Sequence, residues 1–252
     1  MHRASPRWAL GAYLWVVASV GAAGLADADG WIDLTGGDEP LKHWQDPATE
    51  WIIAGDAVLD PQMPRWLEAK PGRGVLVNGP KGRIKNLVTK QKFADIEAHV
   101  EFVIPKGSNS GVKFMGLYEI QIVDSHGAKE LHGHSCGGIY PRAEHLPKYH
   151  HIDDGTPPRV NAAKPAGEWQ SLDVVFQAPR FDADGKKVRH ARFVRVVLNG
   201  QLIHENVEVA HPTGAAWRLS RETATGPLLL QADHGAVAFR NVRIRPVSLP
   251  AR

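Results

Sequence analysis

One cysteine, Cys136, is all the chain carries, and a single thiol cannot close an intramolecular disulfide. Stability must therefore come from a buried core, which a chain of 252 residues can supply. Excess charge of one sign is also missing: 30 Lys and Arg face 27 Asp and Glu, for a formal charge of +3. The basic residues are scattered among acids, and the locally basic stretch 81–92 lacks the interleaved aromatics of a single-strand binder. No nucleic-acid partner is expected. No segment keeps a helical period over three turns, and no internal repeat is evident. Several common engines are absent: there is no Gly-x-Gly-x-x-Gly after a strand, no Gly-Lys-Ser/Thr phosphate loop, no Gly-x-Ser-x-Gly and no His-Glu-x-x-His.

Long apolar runs are missing too, except at the front. Arg3 and Arg7 precede an apolar stretch from Trp8 to Ala23, followed by Ala26-Asp27-Ala28 as a cleavage site. The stretch is short for a membrane span. Residues 1–28 therefore read as a secretory signal, with an uncleaved N-terminal anchor as the alternative. The expected localisation is export to a bacterial periplasm or the medium, with no integral membrane domain once the signal is gone. Residues 29–252 then suit one β-rich domain.

What is present is strand signal. Ile96, Ala98, Val100, Phe102 and Ile104 alternate with Glu97, His99 and Glu101, and 169–176 is in step in the same way. Asn199-Gly200 between two apolar runs predicts a type I′ hairpin. Segments 51–59 and 74–77 are weaker candidates, and 227–232 with 236–247 is expected to close the chain as a strand pair across Asp233-His234-Gly235. The first and last strands are expected to share a sheet. Short strands punctuated by Gly and Pro argue for an all-β sandwich or jelly roll of two antiparallel sheets. The irregular stretch 141–167, which holds Tyr149, His150, His151, Asp153 and Asp154, is long enough to be functional, and we expect it to wall a binding site.

Candidate chemistry centres on Tyr118-Glu-Ile-Gln-Ile-Val-Asp124. Alternation sends Tyr118, Ile120 and Ile122 to one face and Glu119 and Gln121 to the other. An acid and an amide are costly in a dry core, but on a groove floor they can hold and activate a hydroxyl-rich ligand; a solvated outer face is the competing reading. Gly107-Ser-Asn-Ser-Gly111 reads as a tight turn aiming Asn109 or Ser110 at that groove, or as a plain turn. Glu119 and Asp124, five apart, lie on opposite faces of a regular strand unless a bulge intervenes. Glu119 with Glu168 or Asp233 is the other carboxylate pairing open to the chain, at the spacing of about 5 Å that a retaining glycosidase needs. Thirteen histidines are present, and His132-Gly133-His134 would offer two imidazoles to a divalent metal if it lay on a strand. Gly133, Gly137 and Gly138 favour a loop, so a metal stays open as a cofactor and no ligand set is assigned.

Ten pieces in order carry a family resemblance: Gly30-Trp-Ile-Asp-Leu34, Asn109-Ser-Gly111, Tyr118-Glu-Ile-Gln-Ile-Val-Asp124, Gly137-Gly-Ile-Tyr140, Asn161-Ala-Ala-Lys-Pro165, Gly167-Glu-Trp169, Leu198-Asn-Gly200, Pro212-Thr-Gly214, Gln231-Ala-Asp-His-Gly235 and Phe239-Arg-Asn-Val-Arg-Ile244. From about Gly30 to Val247 the chain resembles the 3-keto-disaccharide hydrolase family. The resemblance implies a concanavalin A-like β-sandwich, as in laminarinases and many lectins, and action on sugars oxidised at C3 as a hydrolase or 1,2-lyase. Carried over by motif, it implies that Glu119, Gln121, Lys164, Glu168, Trp169, Gln231, His234 and Gly235 line the concave face. The chain departs from the family at Leu34-Thr-Gly-Gly-Asp38 and in the run from His132 to Asp154.

A C3 ketone acidifies the C2 proton, so a base at C2, an enolate stabiliser and an acid for the leaving oxygen are the required parts. Under the resemblance the base is Glu119 or His234, the stabiliser Lys164 or a metal, and the acid Asp124 or Glu168. Asn109, Gln121, Tyr140, Lys164 and Gln231 are the expected sugar-binding residues, and a small carbohydrate is the expected partner; oligomeric state is left open. Two rivals stand beside this reading. One is a non-catalytic carbohydrate-binding module using aromatics such as Tyr118, Tyr140 and Trp217. The other is a laminarinase-type glycosidase, weakened because Gln121 and Asp124 replace the acids that its Glu-x-Asp-x-x-Glu strand requires.

Overall fold

A computed structural model describes residues 29–46, 50–79 and 82–250 of the chain; the expected signal at 1–28 lies outside them. The strands are β1 (Ile32–Asp33), β2 (Ile52–Leu59), β3 (Leu67–Val77), β4 (Leu87–Val88), β5 (Ile96–Val103), β6 (Asn109–Phe114), β7 (Tyr118–Val123) and β8 (Ala143–Glu144). They continue with β9 (His150–His151), β10 (Gln170–Gln177), β11 (Arg180–Phe181), β12 (Lys187–Arg189), β13 (Ala191–Leu198), β14 (Gln201–Val209), β15 (Leu229–Leu230) and β16 (Ala238–Pro246), with a one-turn helix α1 (Ala216–Leu219) before β15.

Two antiparallel sheets stack face to face. The larger runs β14-β13-β10-β5-β16-β3-β2, with β1 also on β16, and the smaller runs β4-β15-β6-β7. Residues 137–140 lie along the free edge of β7, with Gln121 and Gly138 joined at 2.9 Å. The core between the sheets follows from alternation: β5 and β10 bury every second residue, and their apolar sides meet those of β6 and β7. Phe114 of the small sheet stacks on Phe176 of the large one at 5.1 Å and meets Phe193 edge-on at 5.5 Å. Tyr118 points into this layer and is fully buried, so it is no groove aromatic. A smaller apolar cluster of Ala54, Leu67, Val75, Val103 and Ala238 lies on the other side of the large sheet, with Trp169 packed against it. The β2–β3 ribbon bends there at Gly55 and Gly72, where a Cβ on Gly55 would lie 2.6 Å from the Pro71 carbonyl oxygen.

The expected Asn-Gly hairpin forms, with Asn199 at φ 51° and Gly200 at φ 79° linking β13 to β14. The first and last strands do share a sheet, Ile32 pairing with Ile244. The final pair does not form: β15 pairs with β4 and β6, whereas β16 pairs with β5, β3 and β1. Asp233-His234-Gly235 therefore crosses from one sheet to the other. An Asp-x-Gly turn between two apolar runs looks the same in sequence whether the runs pair or part.

Candidate active site

Hairpin register builds the floor of a cavity. The turn 115–117 joins β6 to β7 and sets Lys113 opposite Glu119, Gly111 opposite Gln121 and Asn109 opposite Val123. These residues share the outer face of the small sheet, because paired residues of antiparallel strands point the same way. Gln231 joins them from the next strand, its N–H bonded to the Gly111 carbonyl at 2.9 Å. Tyr140 flanks Glu119 on the other side through an N–H bond to the Glu119 carbonyl of 3.1 Å. The Lys113 ammonium sits 3.1 Å from the Glu119 carboxylate. A Cβ on Gly111 would lie 2.2 Å from Glu119 Oε1, so only glycine leaves room for the carboxylate where it is.

Among the strands, β7 is the exception in its burial. Its sequence alternates, yet Tyr118 through Ile122 are all buried, because loops cover the outer face. Glu119 is 3% exposed and Gln121 2%. Thr213 closes over the strand, its hydroxyl accepting from the Glu119 N–H at 3.1 Å. The stretch expected to wall the site does so: His145 and Tyr149 line a cavity of about 240 Å³ with Asn86, Asn109 and the floor residues. Tyr149 OH meets Tyr140 OH at 2.9 Å, and His151 Nε2 lies 3.0 Å from the same oxygen.

Neighbouring groups shift the titratable side chains of the cavity. Burial pushes the Glu119 carboxyl upward, and the Lys113 charge pulls it partly back. At the rim His234 Nδ1 lies 2.6 Å from Asp233 Oδ1; that bond raises the imidazole above its ordinary value and lowers the carboxyl. Burial, then the bond to Tyr149, raises the Tyr140 phenol and keeps it neutral. Two amide oxygens, Gln121 Oε1 and Gln231 Oε1, are buried without a hydrogen-bond partner. Such groups cost about 1–3 kcal/mol each when unpaired, and they are where a ligand hydroxyl would donate.

A 3-keto-alpha-glucoside-1,2-lyase-like domain matches residues 27–245. The chain belongs to that family. Its fold is also that of three crystal structures of candidate glycosyl hydrolases from Parabacteroides distasonis. One is 23% identical, with a TM-score of 0.62 over 87% of this chain and 84% of that one. The others are 21% identical with a TM-score of 0.51, over 86% and 99% of the two chains, and 18% identical with a TM-score of 0.50, over 88% and 95%. No curated protein matches.

Of the residues expected to form the site, Asn109, Glu119, Gln121, Tyr140, Gln231 and His234 line this one cavity. Asp124, Lys164, Glu168, Trp169 and Gly235 do not. Asp124 accepts from the Gly107 N–H at 2.9 Å and closes the turn before β6. Lys164 is turned to the Trp169 carbonyl at 2.9 Å, and Glu168 is exposed beside it. That segment leads into β10 of the large sheet, with Trp169 bonded to Asp56 at 2.9 Å and capped by Arg240. Gly235 is a packing residue, since a Cβ there would lie 2.3 Å from Ser108 Oγ. Trp217 gives its N–H to the Ala143 carbonyl at 3.0 Å and braces the wall. Lys113 and Thr213 were not anticipated. Lys113 was readable from hairpin register alone; Thr213 stands in the Pro212-Thr-Gly214 piece of the resemblance, to which no site role was attached. The rings of His132 and His134 stack at 4.9 Å in a loop. Among the described residues no three His, Cys, Asp or Glu side chains converge as metal ligands, and the cation facing Glu119 is Lys113.

Proposed function

We propose that the chain cleaves glycosidic bonds of 3-keto-glycosides, 3-keto-disaccharides among them, by β-elimination, and that it works outside the cytoplasm after export through residues 1–28. The observation that carries the reading is the buried Glu119 carboxylate paired with the half-buried Lys113 on a floor with two unpartnered amide oxygens. Ordinary glycosidases use two carboxyl groups across the bond; here the group facing the carboxylate is an ammonium. An ammonium suits a developing enolate better than it suits an oxocarbenium ion.

In this scheme Glu119 takes the C2 proton, and the C2–H electron pair moves into the C3 carbonyl to give an enolate. Lys113 stabilises that oxygen, in the role first sought in Lys164. The enolate then expels the C1 aglycone oxygen, forming a C1–C2 double bond. The His234 imidazolium, favoured by the bond to Asp233, protonates the leaving oxygen in place of Asp124 or Glu168. Addition of water across the double bond completes net hydrolysis. Gln121 and Gln231 hold sugar hydroxyls, and neutral Tyr140 donates to the ring substituents beside Glu119.

The test is aglycone release from 3-keto-trehalose and from a 3-keto-β-glucoside, each against its unoxidised parent, with and without EDTA. Release from the keto sugars alone is expected. Cleavage of unoxidised glycans would instead indicate a conventional glycosidase, and binding without release a carbohydrate-binding module. Loss of release with EDTA would bring a metal into the scheme.

A further inference from the structure

The cavity over Glu119 continues past its rim. His145 and Ala215 also line a second hollow of about 290 Å³, completed by Ala143, Glu144, Leu146, Arg218 and Leu219. The two hollows differ in chemistry. The first presents a carboxylate, an ammonium and amides, whereas the second is walled mainly by aliphatic carbon. Leu146 is 80% exposed and Leu219 74%. One exposed leucine is ordinary. Two that flank an apolar hollow sharing its walls with a polar ligand cavity mark a binding surface.

The hollow is also built rather than incidental. Its two sides are tied together where Trp217 Nε1 of α1 donates to the Ala143 carbonyl at 3.0 Å and Arg218 meets Glu144 at 3.5 Å. The loop bearing His145 and Leu146 is anchored by the bond of 2.9 Å between Tyr149 OH and Tyr140 OH.

A glycoside has a hydroxyl-rich ring and an aglycone, and the paired hollows match such a molecule. We propose that the second hollow is the aglycone subsite and that it takes an aromatic aglycone. The aliphatic walls at Ala143, Leu146, Ala215 and Leu219 suit the faces of a flat apolar ring, with the Arg218–Glu144 pair beside them. The assignment rests on the 3-keto-glycoside reading above and adds to it the class of leaving group.

The test compares benzyl and methyl 3-keto-glucosides of each anomer, whose leaving alkoxides are similar in basicity, on wild type and on the double variant Leu146→Ser/Leu219→Ser. Both leucines are exposed, so the variant is expected to melt as wild type does. Wild type should prefer the benzyl glycoside by about tenfold or more in kcat/KM. The double variant should lose most of that preference with the methyl glycoside unchanged. Equal kcat/KM for the two glycosides in wild type, or an equal response of both to the variant, would overturn the subsite. Should neither glycoside be cleaved, the reaction class fails but the subsite is still read, by calorimetric titration of the same two compounds. A tighter benzyl ligand whose advantage the variant removes supports the subsite, and equal affinities overturn it.

Discussion

The outer faces of the two sheets carry the same kind of residue to different ends. On the large sheet His99 lies 2.6 Å from Asp173, Glu101 lies 2.6 Å from Arg240, and Glu97 is paired with Arg245. The side chains of these pairs keep 19% to 45% of their surface, so they are partly solvated and contribute little stability apiece. On the small sheet Glu119 is 3% exposed, and Gln121 and Gln231 hold amide oxygens with no partner. Strand alternation produced both faces. They differ in that loops from 140–149 and 213–216 roof one of them, so its amide oxygens are buried with no partner from the protein. A face that balances its own charges is scaffold; a face left unbalanced under a roof is prepared for a ligand.

The sharpest way to break that contrast is to make the same substitution on both faces. Glu119→Gln should lower kcat/KM by about a thousandfold or more, in the range of a general base, without a fall in melting temperature. Glu101→Gln should leave turnover of the keto sugar unchanged. Comparable losses from both would show that the faces do not differ in role.

Next in size is Gly111→Ala, whose Cβ would occupy the place of Glu119 Oε1. We expect a loss of about a hundredfold in kcat, since displacing a reacting group by an ångström costs that much, with the fold retained by circular dichroism. Wild-type kinetics would mean that the carboxylate position is not critical.

Removing an unpaired polar group should cost binding and relieve the fold. Gln121→Leu is expected to weaken sugar binding about tenfold while raising stability by roughly 1 kcal/mol, because the buried Oε1 has no partner to lose. Chemical denaturation and calorimetry measure the two effects. A stability loss would mean that the amide is satisfied in the free protein.

The smallest effects are in pH. Burial raises Glu119 above 4.5, and the bond to Asp233 raises His234 above 6.5. Turnover should therefore climb at some pH above 4.5, as Glu119 ionises, and fall at some pH above 6.5, as His234 loses its proton. Asp233→Asn should move the falling limb to lower pH, and by more than the rising limb, which the Asp233 charge touches only as the least of the influences on Glu119. His99 is raised too, by Asp173, but on the scaffold face its effect is on stability. That contribution is complete below about 6.5 and is lost as pH rises through the higher folded value, with no change in the turnover profile.

Much of this fold was legible, because strands buried on one face print their pattern in the sequence: β5, β10 and the β13–β14 hairpin followed from alternation and an Asn-Gly turn. The partition of the last two strands between sheets was not, since local turn chemistry does not say which partner a strand finds. In the site, Glu119 and Gln121 were visible as polar residues on an alternating strand, but their burial depends on loops far along the chain. Lys164 and Glu168 came from family motifs and lie elsewhere, where they start a strand. Lys113, one hairpin register from Glu119, supplies the charge that Lys164 was expected to bring.

The proton at C2 gives the most direct test. Wild type and Glu119→Gln would be incubated with a 3-keto-glucoside deuterated at C2, and aglycone release followed together with the deuterium appearing in water. Wild type should lose the label in step with release, and Glu119→Gln should do neither while still binding the sugar. Release with the C2 deuterium retained in the product would contradict elimination and, with it, the role given to Glu119.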